Sequence, residues 1–166
     1  MSWMVALTAL GLVLPSLASA RVWHVLADST GDAPFLAAAV DSAADDDVIE
    51  LGPGEFPVEG HSLRFQKSLE FVGAGAEMTT VLGGLGIIDL DGVQSCAVRD
   101  LRMMPGLARH DLLLMQQVDE FEAERCIFFG GTDNGWSRPS PSLGRTPDSG
   151  VRCAHCSQLG PRVPFP

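Results

Sequence analysis

The sequence predicts an all-β chain wound as a parallel solenoid, and three observations carry that prediction. First, apolar residues recur in columns 25 residues apart: Leu63, Ile88 and Leu113; Phe65, Leu90 and Met115; Phe71, Cys96 and Phe121. Val98 stands with Ala123, Leu101 with Cys126 and Met103 with Phe128 at the same spacing. Second, Arg64, Gln66, Asp89, Asp91, Glu120, Glu122 and Glu124 fall between those columns, the alternation of strands with one face buried. Third, the strands are short and broken by turn signals such as Gly52-Pro53-Gly54. A strand of this kind cannot bury its apolar face alone, whereas equal coils stacked on an axis bury it against the coils above and below.

Each element has a local reason. Residues 1–20, MSWMVALTALGLVLPSLASA, carry no charge and end in Ala18-Ser19-Ala20, an A-x-A cleavage pattern. They are expected to be a secretory signal peptide, with an uncleaved anchor as the alternative, and residues 21–166 one β-helix domain. Val22 to Leu26 reads as a strand, and Asp28 to Asp32 as a turn. Pro34 then opens a helix with Phe35, Leu36, Ala39, Val40 and Ala43 on one face and Asp32 as its cap. Asp45-Asp46-Asp47 ends that helix, and Val48 to Leu51 is a strand running into the Gly-Pro-Gly turn. After Gly130–Gly150, a Gly-, Pro- and Ser-rich loop, the register resumes with Val151, Cys153, Cys156 and Leu159 beneath Leu113, Met115, Val118 and Phe121. The predicted inward stack is Phe65, Leu90, Met115 and Cys153.

The runs TGDAPFLAAAVDSAADDDVIELGPGEF and LRFQKSLEFVGAGAEMTTVLGG resemble the N-terminal coil of pectin-lyase-like proteins. The resemblance covers about residues 22–103, and residues 104–159 only through the repeat. It implies a right-handed parallel β-helix of about 4–5 coils with an N-terminal capping helix. Activity is left open by it, because that superfamily includes lyases, hydrolases, esterases, epimerases and non-enzymatic surface proteins. Its enzymes generally work on an outer strand face with Asp pairs, as acid and base or calcium ligands, and with Arg or Lys. Enzymatic members are typically longer. That, together with the ending LGPRVPFP, which supplies no amphipathic cap, predicts either a truncated reading frame or a fragment of a longer product.

Composition narrows the partners. With 46% hydrophobic and 19% charged residues the chain can fill a core, and its net charge of −10, with no basic cluster, disfavours nucleic acid. The paired carboxylates are Asp89 and Asp91, which project from one face of a strand, with Arg64 expected directly over Asp89. They are the catalytic candidates; a solvated ladder is the alternative, as Arg99 over Glu124 and Asp100 over Arg125 suggest. Trp136 and Arg138 on the loop are the substrate-binding candidates, since a ring face and a guanidinium fork suit a sugar or uronate, and a Trp136 ring folded back over the coil edge is the favoured alternative. Cys153, His155 and Cys156 resemble half a metal site, but buried thiols filling apolar columns, as for Cys96 and Cys126, are the favoured reading. His24, His61 and His110 have no spaced partner and read as surface or turn residues. No cofactor is implied beyond calcium. The expected function is a secreted or periplasmic, non-catalytic module associated with acidic or neutral polysaccharide, free of the membrane once the signal is removed. The alternatives are the N-terminal part of a polysaccharide lyase or glycoside hydrolase, and a periplasmic metal-binding protein.

Overall fold

The computed structural model describes residues 19–88, 95–104, 113–116, 120–129, 136–137 and 150–159. In order these form β1 (Val22–Val25), α1 (Leu36–Ser42), β2 (Asp47–Leu51), β3 (Gly54–Phe65), β4 (Leu69–Gly73) and β5 (Thr79–Ile88). Then come β6 (Ser95–Arg99), β7 (Arg102–Met104), β8 (Leu113–Gln116), β9 (Glu120–Glu124), β10 (Ile127–Phe129), β11 (Trp136–Ser137), β12 (Gly150–Ala154) and β13 (Ser157–Leu159). The signal-peptide reading falls on residues 1–20, of which 1–18 lie outside the described set, as do Asp89, Leu90, Asp91 and Arg138.

The predicted parallel β-solenoid is the architecture. One sheet stacks the six strands β1, β2, β4, β6, β9 and β12, and the solenoid makes about 3 turns where four or five coils were expected. The other divides along β5: Thr80–Leu82 pairs with β7, which leads to β10 and β13, while Leu85–Ile88 pairs with β8 and then β11. β3 follows β5 through both strips, with a register shift between Pro57 and Ser62. Opposite that shift sits Gly83 at φ +125°, where a Cβ would lie 3.0 Å from the Val58 Cβ. Only glycine combines that backbone conformation with so close a neighbour.

Inside, side chains stack by type. Trp23, Ile49, Phe71, Val98 and Ala123 form one buried column of the first sheet, and Leu69, Cys96 and Phe121 another. Phe56, Val81, Met103 and Phe128 do the same in the second sheet. Each fully buried large side chain of this kind contributes roughly 1.5–3 kcal/mol, and it does so only because the next rung covers it.

The 25-residue spacing holds from β6 to β9, from β7 to β10 and from Gly54–Pro57 of β3 to Thr79–Leu82 of β5, and other pairings depart from it. Phe71 faces Val98 rather than Cys96, and Leu63 and Phe65 face Leu85 and Ile87. Ile87, not Leu90, stands between Phe65 and Met115, and Cys153 lies under Ala123 in the other sheet. The predicted four-residue stack is therefore corrected. Strand length and loop length vary independently from rung to rung, because loops absorb insertions at little cost.

The helix also differs in detail. It lies between β1 and β2, with one strand ahead of it, and spans Leu36–Ser42. Its N-cap is Phe35, which makes no side-chain capping bond and is 58% exposed, whereas Leu36, Ala39, Val40 and Ala43 are buried. Asp32 does not cap it; its carboxylate accepts from the backbone N–H of His24 at 2.8 Å.

Asp47 ties the first rungs together. Its side chain is buried, and its two oxygens accept from Arg21 N at 2.8 Å, Trp23 Nε1 at 3.0 Å and Ala44 N at 2.8 Å. Burial pushes the Asp47 pKa up, but the N–H donors of Ala44, Arg21 and Trp23 together outweigh it and hold the carboxyl below its ordinary value. A depressed folded-state pKa means the stabilisation is present above the unfolded value and is lost as pH falls through the folded one. Asp47→Ala should cost about 2–3 kcal/mol in urea unfolding at neutral pH, since it strands buried donors. Acid titration to about pH 3 should destabilise the wild type more than Asp47→Asn, which lacks the titrating group.

Candidate functional site

The outward face of the first sheet carries a ladder of charged side chains. In register, Glu70 leads to Ala97, Glu122 and Arg152, and His24 leads to Glu50, Val72, Arg99, Glu124 and Ala154. Arg99 sits among three carboxylates: it pairs with Glu70 of the preceding rung, with Glu122 at 3.0 Å and with Glu124 at 3.4 Å. Arg125 adds a two-pronged contact to Asp100, at 2.6 Å through both Nε and Nη2, and also meets Glu124. Arg152 pairs with Glu120 at 3.1 Å. Arg99 over Glu124 and Asp100 over Arg125 are the ladder contacts the repeat predicted. The hydrogen bond from Arg125 holds the Asp100 carboxyl below its ordinary range, against the opposing effect of burial.

His24 is not isolated. Its Nδ1 lies 3.1 Å from Asp32 and its Nε2 3.3 Å from Glu50. Arg21 stacks over the Trp23 ring with its guanidinium carbon 3.8 Å from the centroid.

Arg64 belongs elsewhere. Its backbone faces Gly86, and Asp89, its expected partner, lies outside the described residues. Gly86 stands there because of the register of β3 on β5, in which Leu63 meets Leu85 instead of Ile88. Arg64 instead lines a cleft of about 390 Å³ with Val40, Asp41, Phe65, Gln66 and Lys67. Lys67 donates to the carbonyl oxygens of Val40 at 3.0 Å, Asp41 at 3.0 Å and Ala43 at 2.6 Å. Its ammonium is thereby committed to the C-terminal end of α1, where the carbonyls lack helical partners. Nothing local in the sequence marks Lys67 for that task.

The cysteines divide in two. Cys96 and Cys126 are buried free thiols, as predicted, and burial pushes both upward, Cys126 to about 11. Cys153 and Cys156 take inward register positions under Ala123 and Cys126, but Cys153 is exposed and Cys156 half-buried. The expectation that both are sealed in the core is corrected: they lie on the last described rung, with no described strand over them. Burial raises the Cys153 thiol, and the adjacent Cys156 raises it further. His155 is a turn residue with φ 55°, matching Asp100 at 54° and Arg125 at 51° at the same corner of the two preceding rungs. Among the described residues no three His, Cys, Asp or Glu side chains are grouped to hold a metal ion. Trp136 falls on β11, where its backbone faces Leu113.

No family model, curated protein or solved structure matches the chain.

The Arg99 cluster is half-exposed, so its worth is modest and dependent on salt. Replacing Arg99 by Gln should lower unfolding stability by about 1 kcal/mol at low ionic strength, through lost attraction and the repulsion of Glu70, Glu122 and Glu124. The deficit should shrink when the same urea curves are recorded in about 1 M salt.

Proposed function

We propose that this chain is an exported, non-catalytic β-helix module that associates with polysaccharide. The observation that supports it most is the pairing of the outward carboxylates. Glu70, Glu122, Glu124, Asp100 and Glu120 are engaged by Arg99, Arg125 and Arg152 across neighbouring rungs, on an extended sheet face. Catalysis on such a face needs an acid and a base poised around one bond, with their proton affinities set apart. An ion-paired ladder instead commits its carboxylates to neighbouring guanidinium groups and fixes a long, regular surface. The resemblance to pectin-lyase-like proteins is part of the same reading, as is export directed by residues 1–20.

On this reading the polysaccharide meets the Gly130–Gly150 segment, where Trp136 supplies an apolar ring face and Arg138 a fork of donors for a uronate carboxylate. Affinity electrophoresis of the purified chain in gels carrying polygalacturonate or a neutral glucan tests it. Retardation by at least one polymer is expected, unchanged by a calcium chelator and weakened about tenfold by Trp136→Ala. Neither polymer should yield unsaturated products absorbing in the ultraviolet or new reducing ends, and Asp89→Asn with Asp91→Asn should leave binding intact. Product release abolished by that double substitution would make the chain part of a carbohydrate-active enzyme. Migration indifferent to both polymers would remove the polysaccharide association.

A further inference from the structure

Corners between the two sheets repeat a short device. A strand ends, one residue takes a positive φ, one apolar residue points inward, and the next strand begins: Asp100-Leu101, Arg125-Cys126 and His155-Cys156. The backbone of each corner bonds to the next rung, Asp100 N to Glu124 O at 3.1 Å and Arg125 N to Ala154 O at 2.9 Å. Two residues before each positive-φ position stands another inward residue: Val98, Ala123 and Cys153. So at every corner two inward side chains, three apart in sequence, meet inside the bend. They are Val98 with Leu101, Ala123 with Cys126, and Cys153 with Cys156.

In the two upper rungs that pair is buried. In the third both members are thiols on either side of one positive-φ residue, Cys153 exposed and Cys156 half-buried. The Cys156 sulfur also lies 3.4 Å from Ala123 O and 3.5 Å from Ala154 O, so it is held at the corner. A tight turn keeps residues i and i+3 within about 7 Å at Cα, which overlaps the range a disulfide spans. We propose that Cys153 and Cys156 are a redox-active dithiol, a site that disulfide-class oxidants convert to an intramolecular disulfide, while Cys96 and Cys126 stay reduced. This inference is independent of the polysaccharide reading.

The chemistry is thiol–disulfide exchange. Cys153, the accessible thiol, gives its proton to solvent, and its thiolate attacks one sulfur of glutathione disulfide. A bond forms between Cys153 and one glutathione, and the other leaves as thiolate and takes up a proton. Cys156 then loses its proton and attacks the Cys153 sulfur, closing the protein disulfide and expelling the second glutathione. Two electrons pass from the protein to glutathione disulfide, and two protons end on the two glutathiones. Cys126 neighbours Cys156 across the rungs, but its sulfur is buried, 3.4 Å from Val98 O of the rung above and 3.3 Å from Glu124 O of its own rung, so an oxidant in solution meets the exposed Cys153 first.

The test is to incubate the full, reduced chain with glutathione disulfide, denature it without reductant, alkylate and map it by tryptic mass spectrometry. Alkylatable thiols should fall from four to two, and the peptide from Cys153 to Arg162 should appear unalkylated and lighter by two hydrogens. Dithiothreitol should restore both thiols. Cys153→Ser should accumulate no protein disulfide, and Cys156→Ser should keep one glutathione on Cys153. Retention of four alkylatable thiols, or a disulfide that includes Cys96 or Cys126, would overturn the proposal. Cys126→Ser should leave the Cys153 to Cys156 link in place, and loss of the link in that variant would equally overturn it.

Discussion

Every rung of this chain depends on the rung beside it for burial. A strand of five residues such as β4 or β9 turns two or three side chains inward, too few to form a core. The parallel register places Trp23, Ile49, Phe71, Val98 and Ala123 directly over one another, and water is excluded only by the stack. Side-chain identity matters less in this arrangement than inward position. Indole, isopropyl, phenyl and methyl groups therefore succeed one another in a single column. The same constraint explains the polar detail at Asp47, where a buried carboxylate is acceptable because Arg21, Trp23 and Ala44 all donate to it.

Function is divided along the same geometry. Covered inward positions pack the core, the corners at Asp100, Arg125 and His155 carry positive φ angles, and the outward face of the first sheet carries a ladder of charge. On that face an arginine on one rung serves acidic residues of its own neighbours above and below, as Arg99 does between Glu70 and Glu122. Such pairing lets an acidic protein with net charge −10 keep several carboxylates in adjacent rungs. Where the stack of described rungs ends, the inward pair Cys153 and Cys156 becomes accessible, so a packing position turns into a chemical one.

Much of the fold was legible in the sequence because period-two alternation survives errors of register. Phe71 was aligned with Cys96, whereas the structure pairs Leu69 with Cys96 and Phe71 with Val98. A slip of two residues keeps every side chain on its proper face, so nothing in the pattern exposes it. The slip between Ile88 and Leu85 opposite Leu63 is three residues and does change parity; it arises inside β3, which begins 25 residues ahead of β5 and shifts register between Pro57 and Ser62. The site was less legible. Arg99 with Glu124 and Asp100 with Arg125 emerged because their spacing obeys the repeat, and Lys67 at the end of α1 did not, because that contact is tertiary. The exposure of Cys153 depends on what lies beneath its rung, which no apolar column encodes.

The register itself is the central claim, and interstrand nuclear Overhauser effects between backbone protons in isotope-labelled protein measure it directly. The account predicts cross-strand contacts linking Phe71 to Val98, Val98 to Ala123 and Leu85 to Leu113, all in the parallel pattern. Contacts placing Phe71 beside Cys96 and Ile88 beside Leu113, or any antiparallel pattern among these strands, would contradict it.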